Sequence, residues 1–145
     1  MRKIGIFMVA LTFSISVCTQ SADPYYVRMA DSEMQRNPES WMVDFSKELK
    51  WNYCHGLELG AILDVWNKTG NRKYFDYAES YADSVVNEDG TIKTYRLEEY
   101  NIDRLNSGKM LFPIYEETKN EKYWLAMALL RSQMNTHPRT SNGLF

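Results

Sequence analysis

The feature that most constrains this sequence is an internal repeat with a step of 49 residues. Residues 66–75 align with residues 115–124, with aromatic residues at both ends and four identities: Thr69/Thr118, Asn71/Asn120, Lys73/Lys122 and Tyr74/Tyr123. In both copies an apolar segment comes before the repeated threonine, and a segment with one apolar face comes after it. Repeats of this length are typical of stacked units that bury apolar faces against their neighbours. The repeat predicts helical hairpins, each built from an inner helix, a tight turn and an outer helix.

Hydrophobic periodicity and the Pro and Gly positions predict where the helices lie. A first helix is expected from Pro24 to about Arg36, with Asp23 as its cap. The segment 51–66 is apolar nearly all round, which indicates a buried helix. Further helices are expected over 73–87, 107–119 and 121–135, with Pro113 near the start of its helix or at a kink. Residues 91–100 are rich in Thr, Ile and Tyr, and we expect them to form a long loop.

The length of the repeat separates two classes of helical protein. Trp66, Gly70, Tyr74 and Ala78 resemble the tetratricopeptide pattern, whose period is about 34 residues. A step of 49 residues fits the larger hairpins of an α/α toroid better. The sequence therefore predicts an all-α fold, with a tetratricopeptide-like interaction module as the alternative.

Charge and composition exclude several kinds of partner. The chain has 145 residues, a formal net charge of −2 and no block of like charge, so we expect no nucleic-acid partner. His55 and His137 have no partner residue at metal-ligand spacing. We therefore expect neither a metal nor a cofactor.

The N-terminus has the pattern of a secretory signal peptide. Met1-Arg2-Lys3 is followed by an apolar run over 4–17, which is too short for a stable transmembrane helix. Residues 1–21 are expected to be this peptide and residues 22–145 the remaining domain, with no membrane span. The pattern predicts export to the periplasm or cell surface of a bacterial-type cell. Lipid anchoring through Cys18 is the alternative, and after cleavage Cys54 would have no disulfide partner.

The candidate site lies where the inner helices begin. The segments 51–53 and 100–103 occupy equivalent positions in the repeat, so both should reach the same rim of a toroid. Aromatic faces of Trp51 and Tyr53 could stack on a sugar ring there, and the carboxylate of Asp103, ionised beside helix N-termini, could accept hydrogen bonds from hydroxyls. Each residue also has a structural interpretation: helix capping for Asp103, rim packing for the two aromatics and loop formation for Asn106.

At these residues the sequence resembles a known enzyme family. The resemblance rests on Trp51-x-Tyr53-x-x-Gly56, on Tyr100-Asn101-Ile102-Asp103-x-x-Asn106-x-Gly108-Lys109, and on Tyr115-Glu116-x-Thr118 with Tyr123. It runs from about Pro24 to Phe145 and is closest to the unsaturated rhamnogalacturonyl hydrolases of glycoside hydrolase family 105, which are related to the family 88 unsaturated glucuronyl hydrolases. The resemblance implies an (α/α)6 barrel acting on the 4,5-unsaturated uronic acid at the end of a pectin-derived oligosaccharide. It also implies hydration of the vinyl ether, with protonation at C4 and release of the unsaturated sugar.

The resemblance assigns roles to single residues. Asp103 matches the first of two active-site aspartates, and Tyr53 matches a tyrosine that contacts substrate; Trp51 and Asn106 are further candidates for substrate binding. The family's general acid/base aspartate lies in a Trp-x-Asp segment preceded by a His-Lys pair, and this sequence contains neither. We therefore expect the N-terminal part of the barrel, about two and a half hairpins, which is inactive as it stands. A chain that does not fold alone is a further alternative.

Overall fold

The computed structural model describes residues 23–144, which form an all-α fold as predicted. Its α-helices are α1 (Tyr25–Arg36), α2 (Tyr53–Thr69), α3 (Arg72–Val85), α4 (Ile102–Asn106), α5 (Leu111–Thr118) and α6 (Glu121–Thr136). Short 3-10 helices lie at Ser40–Met42, Leu97–Glu99 and Ser107–Met110. The expected loop over 91–100 makes one isolated antiparallel bridge, between Ile92 and Val86. The predicted signal peptide and Cys18 lie outside the described residues.

The 49-residue repeat is a repeat in three dimensions. Helix α2 corresponds to the continuous right-handed stretch Ile102–Thr118, made of α4, a 3-10 turn and α5, and α3 corresponds to α6. The second inner helix is interrupted because Pro113, the third residue of α5, has no amide hydrogen to donate to the preceding turn. The predicted position of Pro113 near a helix start is confirmed, whereas α4 was not predicted.

Each hairpin turn is built from the same side-chain contacts. The hydroxyl of Thr69 donates to the carbonyl of Val65, and that of Thr118 donates to the carbonyl of Ile114, both at 2.8 Å. One residue later the backbone is left-handed, at Gly70 and at Lys119. Asn71 and Asn120 then cap the outer helices by accepting the amide hydrogens two residues on, both at 3.2 Å. Two of the four identities in the repeat, the threonine and the asparagine, are therefore turn and cap residues.

The repeated Lys-Tyr pairs connect each outer helix to the one before it. The Tyr74 hydroxyl donates to Asp31 of α1 at 2.8 Å, and Lys73 pairs with the same carboxylate at 2.6 Å. In the second copy, Tyr123 and Lys122 of α6 contact Asp83 of α3 at 2.5 and 2.8 Å; these two side-chain triads are called the Lys-Tyr clamps. Burial opposes ionisation of Asp31, but the bonds from Lys73 and Tyr74 outweigh it and lower its pKa.

The hydrophobic core lies between the inner and outer helices. It contains Leu59, Leu63, Phe75, Tyr81, Val85, Leu111, Ile114, Tyr123 and Leu130 among other residues. The expectation that α2 is buried all round is wrong, because Leu57 is 55% exposed; Phe112 of α5 is 56% exposed. Such exposed apolar flanks are expected of hairpins in an open ring.

Two further observations complete the fold. Pro24 occupies the cap position of α1 and no side chain caps the helix, so the prediction that Asp23 is the cap is wrong. Within residues 23–144, no helix combines the length and the apolar character needed to cross a membrane.

The Lys-Tyr clamps should contribute measurably to stability. Tyr123→Phe removes a hydrogen bond to a carboxylate, and because Asp83 is half exposed we expect a loss of about 1–2 kcal/mol in the free energy of unfolding, measured by urea titration. Tyr74→Phe should have a similar effect at Asp31. As a control, Tyr25→Phe removes a hydroxyl from an exposed ring and should change stability by less than about 0.5 kcal/mol. Equal effects of the three substitutions would contradict a specific role of the clamps.

Candidate functional site

The rim of the fold begins with two asparagine caps. Asn52 accepts the Cys54 amide hydrogen at 2.6 Å at the start of α2, and Asn101 accepts the Asp103 amide hydrogen at 3.0 Å at the start of α4. The two caps are 49 residues apart, so they confirm that the inner helices begin at equivalent positions.

Three contacts hold the two rim segments side by side. The Ser107 hydroxyl donates to the carbonyl of Asn52 at 2.6 Å, and the Trp51 indole N–H donates to the carbonyl of Arg104 at 2.9 Å. Gly56 lies so close to Ser107 that a Cβ atom there would be 2.3 Å from the Ser107 Cα. Glycine is therefore required where the inner helices cross. The start of α2 therefore lies against Arg104 and Ser107, which closely follow Asp103, in agreement with the shared rim that the repeat predicts.

The candidate side chains differ in their access to a ligand. Tyr53 is 43% exposed at the first position of α2, and Asp103 is exposed in the first turn of α4. Asn106 is half-buried at the end of α4. Their roles in binding or catalysis stay predictions, but Tyr53 and Asp103 are open to a molecule approaching the rim.

Trp51 lies in the core. Its side chain is 1% exposed and it stacks on Tyr81, whose hydroxyl donates to the carbonyl of Lys50 at 2.8 Å. Neither face of the Trp51 ring is open to solvent, so in this geometry Trp51 cannot stack on a sugar as expected. The structural interpretation is supported: Trp51 packs beneath the rim and fixes the backbone before Tyr53.

His55 is buried in the core next to the rim. The sequence predicted no role for it. It is fully buried, stacks on Tyr81, and donates from Nε2 to the carbonyl of Trp41 at 2.9 Å. Nδ1 has no hydrogen-bond partner within residues 23–144. Burial, reinforced by Lys50, lowers the pKa of this imidazole against the opposing effect of the Trp41 carbonyl. The burial of His55 could have been predicted from its position on the apolar face of the helix expected over 51–66.

A large groove lies elsewhere. A space of about 1140 Å³ opens between α1, Phe45 and the side of α2, and its walls include Met29, Glu58 and Ile62. Neither Tyr53 nor Asp103 lines it. In the part of the chain that the structure describes, no three His, Cys, Asp or Glu side chains are grouped closely enough to hold a metal ion. The candidate residues Tyr53 and Asp103 therefore lie at the rim and outside this groove.

Comparison with known families decides the relationship. The family model described as Glycosyl Hydrolase Family 88 matches residues 25–145, which is most of the chain. The chain belongs to glycosyl hydrolase family 88. This match favours the glycoside hydrolase relationship over the tetratricopeptide alternative.

A solved structure agrees with the family 88 match. The fold is similar to that of the family 105 glycoside hydrolase from C. acetobutylicum ATCC 824, with 43% sequence identity and a TM-score of 0.72. The similarity covers 81% of this chain and 31% of that hydrolase, so the chain spans about a third of the length of the protein it matches. The predicted relationship to families 105 and 88, and the assignment to part of an (α/α)6 barrel, are confirmed.

The burial of His55 predicts a pH dependence of stability in this family 88 chain. In the unfolded chain the imidazole takes up a proton near its ordinary pKa of 6.5, whereas the folded chain holds it neutral to lower pH. The unfolded state therefore binds more protons below pH 6.5, and stability falls as the pH falls, with a slope of at most about 1.4 kcal/mol per pH unit from this group. Above that pH the group contributes no pH dependence.

The measurement is urea unfolding at a series of pH values. His55→Gln should flatten the slope just below pH 6.5, because Gln places an N–H near the Trp41 carbonyl but does not titrate. A slope that is unchanged in His55→Gln would assign the pH dependence to other groups.

Proposed function

We propose that this chain forms the N-terminal rim of an unsaturated rhamnogalacturonyl hydrolase. Such an enzyme removes 4,5-unsaturated galacturonic acid from oligosaccharides derived from rhamnogalacturonan, a pectin component. The observation that carries the proposal is the packing of residues 51–52 against Arg104 and Ser107, because these residues lie next to Tyr53 and close to Asp103 in the sequence. Family membership and the similarity to a family 105 hydrolase support the reaction class.

The substrate's double bond defines the chemistry required. The C4–C5 double bond of the unsaturated sugar is conjugated with the ring oxygen, so a proton added at C4 leaves a cation at C5 that the ring oxygen stabilises. Water then adds at C5, and the resulting hemiketal opens at the C5–O5 bond to leave a hemiacetal at C1. This hemiacetal collapses to an aldehyde and releases the remaining saccharide as an alcohol. The enzyme has to supply a proton at C4 and accept one from water, which is general acid/base chemistry.

Asp103 and Tyr53 take distinct parts in this proposal. Asp103 is exposed in the first turn of α4, where its carboxyl oxygens can accept hydrogen bonds from sugar hydroxyls and assist the proton transfer. Tyr53 offers an exposed ring and hydroxyl at the start of α2 for contact with the same sugar. Asn106, half-buried one turn after Asp103, is a further polar contact in the proposed site.

We also propose that the chain alone does not turn over substrate. The family's second aspartate would lie in a Trp-x-Asp segment, which this sequence does not contain. A general acid/base is needed in addition to Asp103, and we infer that it comes from another repeat of the barrel.

A chimeric enzyme tests these proposals. The matching segment of the C. acetobutylicum hydrolase is replaced by residues 25–145 of this chain, and the loss of the double bond's ultraviolet absorbance is followed on unsaturated galacturonyl-rhamnose. We expect the chimera to turn over and the separate chain to be inactive. Asp103→Asn should lower kcat of the chimera by roughly 10²-fold or more. Tyr53→Phe should act mainly on KM, since Tyr53 is assigned to binding.

Asp89→Asn is the matched control in the chimera. Asp89 is an exposed turn carboxylate that accepts from Thr91, and Asn retains that acceptor. The control should keep at least half the activity of the chimera. Full activity of the Asp103→Asn chimera would overturn the assignment of Asp103, and turnover by the separate chain would overturn its proposed inactivity.

We further propose export, on the basis of the charged start and apolar run of residues 1–17. Expression in a Gram-negative bacterium followed by fractionation and mass measurement tests it. We expect a periplasmic or surface product whose mass corresponds to cleavage near residue 21. A product lipidated at Cys18 would establish anchoring, and an uncleaved cytoplasmic product would contradict export.

A further inference from the structure

Thr94 occupies a backbone conformation that its side chain disfavours. It lies in the connection between α3 and α4 with a φ angle of 64°, in the left-handed region. For a β-branched residue this is an unfavourable outlier, and it persists only where surrounding contacts stabilise it. The side chain is exposed, so core packing does not account for the conformation.

The contacts that stabilise Thr94 come from the two rim segments. Its hydroxyl oxygen accepts the Trp51 amide hydrogen at 2.9 Å. Its carbonyl accepts a hydrogen bond from the Arg104 guanidinium. The Trp51 indole N–H donates to the Arg104 carbonyl at 2.9 Å and closes the triangle. These three residues are called the rim triad.

The rim triad lies next to both candidate site residues. Trp51 is two residues before Tyr53, and Arg104 directly follows Asp103. The Trp51 amide lies before the first residue of α2, so it makes no hydrogen bond of that helix. Without the Thr94 hydroxyl this amide loses its acceptor. The hydrogen bond from the Arg104 guanidinium to the Thr94 carbonyl then remains between Thr94 and the rim.

We propose that Thr94 is a positioning residue that sets the spacing of the Tyr53 and Asp103 segments without contacting the ligand. The proposal rests on the proposed function in one respect: the spacing matters for activity only where both side chains act on one sugar. Side chains of a binding site must be held close to their productive geometry, and the strained backbone of Thr94 is maintained by bonds to both segments.

Isosteric substitutions in the 145-residue chain test the proposal. Thr94→Val keeps the β-branched shape but removes the acceptor for the Trp51 amide, whereas Thr94→Ser keeps the acceptor. Thr91→Val is the matched control, because the Thr91 hydroxyl also makes hydrogen bonds, to Asp89 and Asn87, but contacts neither rim segment. Arg104→Met is a second variant that removes the guanidinium and leaves the backbone carbonyl that Trp51 binds.

Two readouts separate positioning from general stability. Amide hydrogen exchange by NMR reports the Trp51 amide and indole and the Asp103 amide, and NMR titration with unsaturated galacturonyl-rhamnose reports affinity. Thr94→Val should accelerate exchange of the Trp51 amide about tenfold and weaken affinity by a similar factor. Thr94→Ser and Thr91→Val should stay within about twofold of the unsubstituted chain in both readouts. Arg104→Met should accelerate exchange at Asp103.

The outcomes that overturn the proposal are distinct from those that overturn the function. Unchanged exchange and chemical shifts at Trp51 and Asp103 in Thr94→Val would reject a positioning role. Equal loosening by Thr91→Val would also reject it, as would global unfolding of Thr94→Val, since a local link at an exposed residue should not abolish the fold. If the unsubstituted chain does not bind the disaccharide, the proposed substrate fails for this chain, while exchange at the rim still decides the role of Thr94.

Discussion

The fold depends on the way each outer helix contacts the preceding outer helix through a buried tyrosine and a lysine that share one carboxylate. The clamps at Asp31 and Asp83 join α1 to α3 and α3 to α6. Because the clamp residues directly follow the hairpin turns, each contact also fixes where its inner helix ends. Burial raises the pKa of Tyr123, and the neighbouring Asp83 adds to the effect, so the phenol stays a hydrogen-bond donor at all ordinary pH values. The clamps therefore set the spacing of the hairpins.

The N-terminal ends of the inner helices are held by different contacts. There the backbone is held by the caps at Asn52 and Asn101, by the close approach of Gly56 to Ser107, and by the hydrogen bonds of Trp51. Most of these groups are buried or belong to the backbone, while Tyr53 and Asp103 extend from them toward solvent. A rigid layer of packed residues beneath a few exposed polar groups is the arrangement that a binding site requires.

The sequence predicted those parts of the structure that depend on local periodicity and on the repeat. Pro and Gly positions predicted the bounds of α1 and α6. The residues that recur 49 positions apart predicted the hairpin turns and the shared rim. The burial of Trp51 could not be predicted, because a tryptophan at a rim packs inward or outward according to contacts from distant segments such as Arg104. The exposure of Leu57 depends on which neighbours cover α2, and the left-handed Thr94 depends on tertiary hydrogen bonds. Neither leaves a local signal.

The contacts that hold the rim in place join residues within 23–144. The rim can therefore form independently of the rest of the family's barrel. Leu57 and Phe112 leave more than half of their apolar surface exposed on the inner helices, yet Trp51 and Asn52 before Tyr53 are already bonded to Arg104 and Ser107 after Asp103. Site geometry at this rim and closure of the ring are therefore separable properties. A ring supplied by another member of the family should preserve the geometry of this rim, provided that the apolar faces are covered, because the contacts of the rim triad and of the caps join residues within 23–144.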